Sequence, residues 1–264
     1  MPGAGPAPVT SYVPPATQFA PPAAAAPPPP PQPMPVVAER RVALVIGNAS
    51  YARLGVLRNP LNDARAVSAS LRRVGFDVAT VENGDHRTMM RAISEFGNRI
   101  GNGGVGLFYY AGHAVQVRGA NYLIPVDANI QAESEVDFLA VNAGLAFAQY
   151  DKANAKLGVT ILDSCRDNPL PQAFRSMSRG LAVVGNAPPG SLVVYATGPG
   201  QVAADGSGAN SVFTEALLQN LERPGIKAQD MFNAVAVSVS QKSQGRQVPW
   251  ISATGIQDDF FFRR

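Results

Sequence analysis

Residues 161–169, "ILDSCRDNP", close an apolar run on an acid, a small residue and the single cysteine of the chain. Upstream the run extends to "LGVTILDSC" (Leu157–Cys165), short and rich in β-branched residues. Such a segment reads as a buried strand, which puts Cys165 at its carboxyl end. A lone cysteine packs most often as a small hydrophobe, so its neighbours decide whether this thiol is inert or reactive.

Working outward, four more runs carry the same signature: "RVALVIG" (Arg41–Gly47), "FDVATVE" (Phe76–Glu82), "VGLFYYAGH" (Val105–His113) and "SLVVYAT" (Ser191–Thr197). Helical periodicity lies between and after them. Asn62 and Asp63 read as the cap of a helix carrying Val67 and Leu71, and Asp85 caps one reaching Ile100. Further helices are predicted over 136–150, 211–221 and 228–241. "VQVRGANYLIP" (Val115–Pro125) reads as a hairpin, and "DDFFF" (Asp258–Phe262) as the last strand. The alternation predicts an α/β fold with a mostly parallel central sheet of about six strands, flanked by helices on both faces. The run ending at His113 is apolar throughout and belongs at the centre, covered on both sides.

The 264 residues carry a net charge of +3 and are 46% hydrophobic, enough for a full core. Met1 to Ala38 is different: it has no charged side chain and consists largely of proline, alanine and small residues. Such a segment has little bulky surface to offset the entropy of ordering, so residues 1–38 read as a disordered arm or linker and 39–264 as the folded domain. The arm is a candidate docking tract for a partner. It lacks the basic and apolar regions of a signal peptide, and no run is long enough to span a bilayer. The expectation is a soluble chain with no membrane span, the cytoplasm being the favoured compartment. One cysteine excludes an intrachain disulfide and a cysteine-based zinc cluster. Basic residues are scattered and not interleaved with aromatics, which argues against nucleic acid as a partner.

A G-x-G-x-x-G pattern occurs at Gly101, Gly103 and Gly106, but it precedes a strand. Phosphate cradling needs the glycines between a strand and a helix, so this copy reads as a turn. Of the two histidines, His86 follows the capping Asp85 and reads as a solvated helix-start side chain. His113 follows Gly112 at the end of the central strand, at the sheet edge where α/β folds present ligand-binding groups. Cys165 ends a neighbouring strand. A thiol beside an imidazole is the minimum equipment for covalent catalysis: the histidine supports the thiolate, then protonates the leaving amine.

"YYAGHAVQVRGANYLIPVD" and "ILDSCRDNP" resemble the two catalytic segments of the caspase-like cysteine peptidases, the clan of caspases, metacaspases and bacterial orthocaspases. The histidine precedes the cysteine by about fifty residues, as in caspase signatures. The resemblance extends through "RVALVIGNASY", "LRNPLNDARAVSASL", "VVYATGPGQVAADGSGANSVFTEALL" and "QVPWIS", so it covers nearly all of the folded region. It implies a caspase-like sandwich and a cysteine endopeptidase with His113 and Cys165 as the catalytic pair. The backbone N–H groups of Ala114 and Cys165 would form the oxyanion hole; relatives usually have glycine after the histidine, and alanine keeps the N–H unless the backbone needs positive φ. The residue two before the cysteine lines the S1 pocket in relatives. Asp163 there matches the metacaspase pattern and implies cleavage after arginine or lysine, with Asp63 as a second acidic S1 residue, although Asp63 also reads as a helix cap. A buried Asp163 calls for a cationic partner, Arg166 being one candidate. The long segment 166–190 holds Arg175 and Arg179, where an arginine-directed enzyme would process itself, or which simply solvate an exposed loop. No cofactor or metal is implied, and the partner expected is a protein or peptide substrate. The rivals are a catalytically silent adaptor with the same fold and a hydrolase of esters or thioesters.

Overall fold

The computed structural model describes residues 39–165, 181–182, 187–198 and 208–264, with Gly3, Gly5 and residues 10–12 near the N-terminus; of Cys165 it describes the backbone. The chain divides into two units, Met1–Val37 and Ala38–Arg264. The expected arm falls almost wholly outside the described residues.

The second unit runs β1 (Arg41–Gly47), β2 (Ser50–Tyr51), β3 (Gly55–Val56), α1 (Pro60–Arg73), β4 (Asp77–Glu82), α2 (His86–Ile100), β5 (Val105–Val117) and β6 (Ala120–Leu123). A 3-10 turn at Glu133–Glu135 then leads into α3 (Val136–Leu139), β7 (Val141–Asn142), α4 (Gly144–Lys152), β8 (Leu157–Cys165) and β9 (Ser191–Tyr195). The helices α5 (Val212–Leu221) and α6 (Ala228–Lys242) and the strand β10 (Trp250–Thr254) follow. The main sheet has the order β10-β9-β8-β5-β1-β4, parallel throughout except for the antiparallel β9–β10 pair. Six strands, mostly parallel, match the sequence expectation.

The period of two along each strand explains the layers. In β1, Ala43 and Val45 face a core shared with Ala64, Val67 and Leu71 of α1 and with residues of α5 and α6. Val42, Leu44 and Ile46 face the opposite core, with Met89, Ile93 and Phe96 of α2 and Phe147 and Tyr150 of α4. The central strands are apolar on both sides because both sides are covered. A third, smaller core holds Tyr51, Val115, Val117, Tyr122 and Ile124 beside the sheet's carboxyl edge.

The turn reading of the glycine pattern fits the structure: Gly101 and Gly103 have φ of +71° and +73° before β5. Gly106 has a packing reason instead, since a Cβ there would lie 2.8 Å from the Tyr150 ring. Asp85 caps α2 as expected, accepting from the Thr88 N–H at 2.7 Å, and His86 is the half-buried first residue of that helix.

Four sequence expectations are corrected. Helix α1 starts at Pro60, because proline suits a first helical position, and Asn62 and Asp63 therefore lie inside the first turn and do not cap it. The helix predicted over 136–150 is broken: Val141 and Asn142 pair with Leu123 and Tyr122 as a third strand of the hairpin sheet. The Asn142 carboxamide then accepts from the Gly144 N–H at 2.7 Å and turns the chain into α4. Strand β5 does not stop at His113 but continues to Val117 as one arm of the predicted hairpin. Finally, "DDFFF" makes a single isolated bridge, Lys227 to Phe261, with a second just after it from Pro224 to Arg263, and the last strand is β10.

Candidate active site

Parallel register brings the two candidate catalytic residues together. Strands β5 and β8 pair from Val105 with Leu157 up to His113 with Cys165, so the imidazole-bearing and thiol-bearing residues are direct neighbours across the two central strands. Beyond that rung β5 leaves the main sheet. The bend falls at Gly112, whose φ of +152° only glycine adopts readily, and a Cβ there would lie 2.5 Å from the Tyr51 hydroxyl and 2.8 Å from that of Tyr110.

Two tyrosines clamp the backbone of His113 at this bend. The His113 N–H donates to the Tyr51 hydroxyl at 2.7 Å, and the Tyr110 hydroxyl donates to the His113 carbonyl at 2.7 Å. The two hydroxyls lie 3.3 Å apart, which closes a ring of hydrogen bonds around the histidine. The Tyr51 ring also packs on the imidazole with centroids 4.7 Å apart. His113 is 8% exposed, so the imidazole is largely shielded from bulk water. Burial and the neighbouring Tyr51 hydroxyl push the Tyr110 phenol well above its usual range, and it stays a neutral donor.

Ala114, expected from the sequence as an oxyanion donor, follows His113 on β5. The Ile124 N–H donates to the His113 carbonyl at 3.0 Å, a single bond that flanks the antiparallel ladder, since the His113 N–H goes to Tyr51. The adjoining Ala114–Leu123 is a non-hydrogen-bonded pair, and the Ala114 N–H points away from β6. Among the described residues the non-glycine positions with positive φ are Asn83, Arg118, Asn154 and Gln244, so alanine at 114 is unstrained.

The two acids converge from different elements. Asp163 on β8 is 7% exposed and Asp63 on α1 is 2% exposed. The Asp163 Oδ2 accepts from the hydroxyls of Ser211 at 2.6 Å, Thr214 at 2.9 Å and Tyr109 at 3.2 Å. The Asp63 Oδ1 accepts from the Ser211 N–H at 3.0 Å and from the Asn210 carboxamide at 2.8 Å. Asn62 adds a bond to the Ala209 carbonyl at 3.1 Å. The pair expected to cap α1 thus clasps the segment entering α5. Burying a carboxylate is costly without compensation, and hydroxyl and amide donors supply it here. The Tyr109 phenol is pushed well above its usual range by burial and by the adjacent Asp163 and Asp63.

The sequence alone does not single out the residues that hold these groups. The doublet Tyr109-Tyr110 carries the clearest signal: adjacent residues of a strand face opposite sides. One hydroxyl therefore reaches Asp163 on the α5 side, and the other reaches the His113 backbone on the α2 side. Tyr51, Ser211 and Thr214 come from distant segments, and nothing local marks them. Arg166, Arg175 and Arg179 lie outside the described residues. Among the described residues no three His, Cys, Asp or Glu side chains gather as a metal-holding group, and no helix is long and apolar enough to cross a membrane.

The arrangement offers a thiol-bearing strand end beside a shielded imidazole, an outward backbone N–H and two buried acids. Comparisons with known proteins bear on the family and the fold. The family model described as "Peptidase_C14: Caspase domain" matches residues 40–261. Mucosa-associated lymphoid tissue lymphoma translocation protein 1 of Homo sapiens and its Mus musculus homolog are each 35% identical over 130 residues. The match covers 49% of this chain and 15% of each of those proteins, so the chain spans only a small part of their length. Among solved structures, caspase-1 from Spodoptera frugiperda superposes with a TM-score of 0.62 at 14% identity, over 86% of this chain and 90% of that one.

Proposed function

This chain belongs to the caspase-domain family, and on that premise we propose that it is a cysteine endopeptidase cleaving after arginine or lysine. The observation that carries the proposal is the rung joining His113 to Cys165, with two buried acids tied together through Ser211 beside it.

Cys165 supplies the nucleophile. Its thiol gives its proton to His113, and the sulfur attacks the carbonyl carbon of the residue before the scissile bond. The negative charge that develops on the carbonyl oxygen is held by the backbone N–H groups of Ala114 and Cys165. His113 then protonates the departing amine, leaving an acyl-enzyme. Water attacks this thioester with His113 as general base, and the thiol is regenerated as the acid product leaves. Asp163 and Asp63 form the floor of the pocket for the preceding side chain. Two carboxylates in one buried site repel each other, and a guanidinium or ammonium guest relieves that repulsion.

Cys165→Ala and His113→Ala are each expected to abolish cleavage of arginine peptides while the thermal midpoint stays near wild type. Members of one catalytic unit are non-additive, so the double variant should be no worse than either single one. Undiminished turnover by Cys165→Ala would overturn the mechanism.

A further inference from the structure

Ser211 bonds to both acids, and it does so with two different groups. Its N–H reaches the Asp63 Oδ1 at 3.0 Å and its O–H reaches the Asp163 Oδ2 at 2.6 Å. The same Oγ accepts from the Thr214 N–H at 2.9 Å as the N-cap of α5. The donor and one of the two acceptor positions of that hydroxyl are therefore committed, and the serine cannot turn without releasing either the helix or Asp163. Asp163 is held on one oxygen by three hydroxyls, which sets the rotation of its carboxylate plane. Asn62 and Asp63 fix the other side of the strap through Ala209 and Asn210.

We propose that Ser211 is a specificity-determining positioning residue of the P1 pocket: by holding Asp63 and Asp163 at a fixed separation and tilt, it makes the pocket favour arginine over lysine. This rests on the assignment of the two acids to that pocket. A guanidinium is a rigid planar fork that gains most from carboxylates fixed in matching planes, whereas an ammonium is a compact point charge that tolerates a rotated carboxylate. Loss of the serine hydroxyl removes the shortest of the three bonds that set the tilt of Asp163, and the loosened carboxylate penalises the fork more than the point charge.

The test uses the full chain and fluorogenic peptides that differ only in arginine or lysine at P1. Ser211→Gly removes the hydroxyl, yet glycine remains a serviceable N-cap, so the fold is retained. Its kcat/KM for the arginine peptide is expected to fall about tenfold or more through KM, since each charge-assisted bond of a fork contributes on that scale. The lysine peptide should lose much less, so the arginine-to-lysine ratio collapses. Ser211→Thr keeps the hydroxyl and should restore the ratio. If Ser211→Gly keeps the wild-type ratio, or both peptides fall together through kcat, the positioning role is wrong while the activity stands. Failure of the wild-type protein to cleave either peptide would overturn the assigned activity and this role with it.

Discussion

Replacing Tyr51 with phenylalanine isolates the clamp on His113, the proposed catalytic histidine. The ring that packs on His113 at 4.7 Å is kept, and what disappears is the hydroxyl that accepts the His113 N–H at 2.7 Å. Both residues are buried. Stripping a buried donor of its acceptor costs about 1–3 kcal/mol. For a domain of this size that corresponds to a fall in thermal midpoint of about 2–12 °C. Tyr110→Phe should cost less, although it removes donors from two carbonyls. The His113 carbonyl still accepts from the Ile124 N–H at 3.0 Å, and the Ile124 carbonyl still accepts from the Asn48 carboxamide at 3.0 Å, so neither is orphaned. Activity should follow the same order. A loosened His113 backbone displaces the imidazole, and a shift near 1 Å lowers turnover by about a hundredfold, so Tyr51→Phe should reduce kcat about ten- to a hundredfold with KM little changed. Calorimetry and steady-state kinetics on the two variants measure both effects. A Tyr51→Phe protein that melts and turns over like wild type, or a Tyr110→Phe protein that is the more damaged, would refute the clamp.

Gly112→Ala places a Cβ 2.5 Å from the Tyr51 hydroxyl on a backbone with φ of +152°, so a stability loss of at least about 1–3 kcal/mol is expected, together with loss of activity. A melting curve superimposable on wild type would show that the bend tolerates a side chain. Deleting residues 1–38 should leave the midpoint and the peptidase rate nearly unchanged, since that segment offers little apolar surface to a core; a large drop would mean that it docks on the domain. Self-processing should yield fragments ending at Arg175 or Arg179 by mass spectrometry, and none from Cys165→Ala. Identical fragments from both proteins would point to a contaminating protease.

How far the sequence speaks depends on whether a residue's role is local. The strands that carry His113 and Cys165 were legible because strands buried on both faces are apolar throughout, and the Asp85 cap because a cap acts within three residues. Strand β10 was not, because an edge strand with exposed Trp250 and half-buried neighbours shows no clear alternation. "DDFFF" misled for the opposite reason. Phe260 and Phe262 are buried against Phe76 and Phe232, with the Arg41 guanidinium over the Phe260 ring, so their aromatic density serves packing and not a ladder. Asp63 resembles a cap locally, yet its hydrogen bonds go to residues 210 and 211, far along the chain. His113 was legible as a residue of the central strand, while its rung with Cys165 and the two tyrosines that hold it emerge only from the register.

The most direct measurement is the P1 profile of the purified protein on a matched peptide panel, run beside Cys165→Ala and Asp163→Asn. Cleavage after arginine should exceed cleavage after aspartate by about three orders of magnitude or more, because a P1 anion would face two buried carboxylates. Cys165→Ala should be silent, and Asp163→Asn should lose most arginine cleavage while staying folded. A preference for aspartate at P1, or arginine cleavage that survives Asp163→Asn undiminished, would contradict the account.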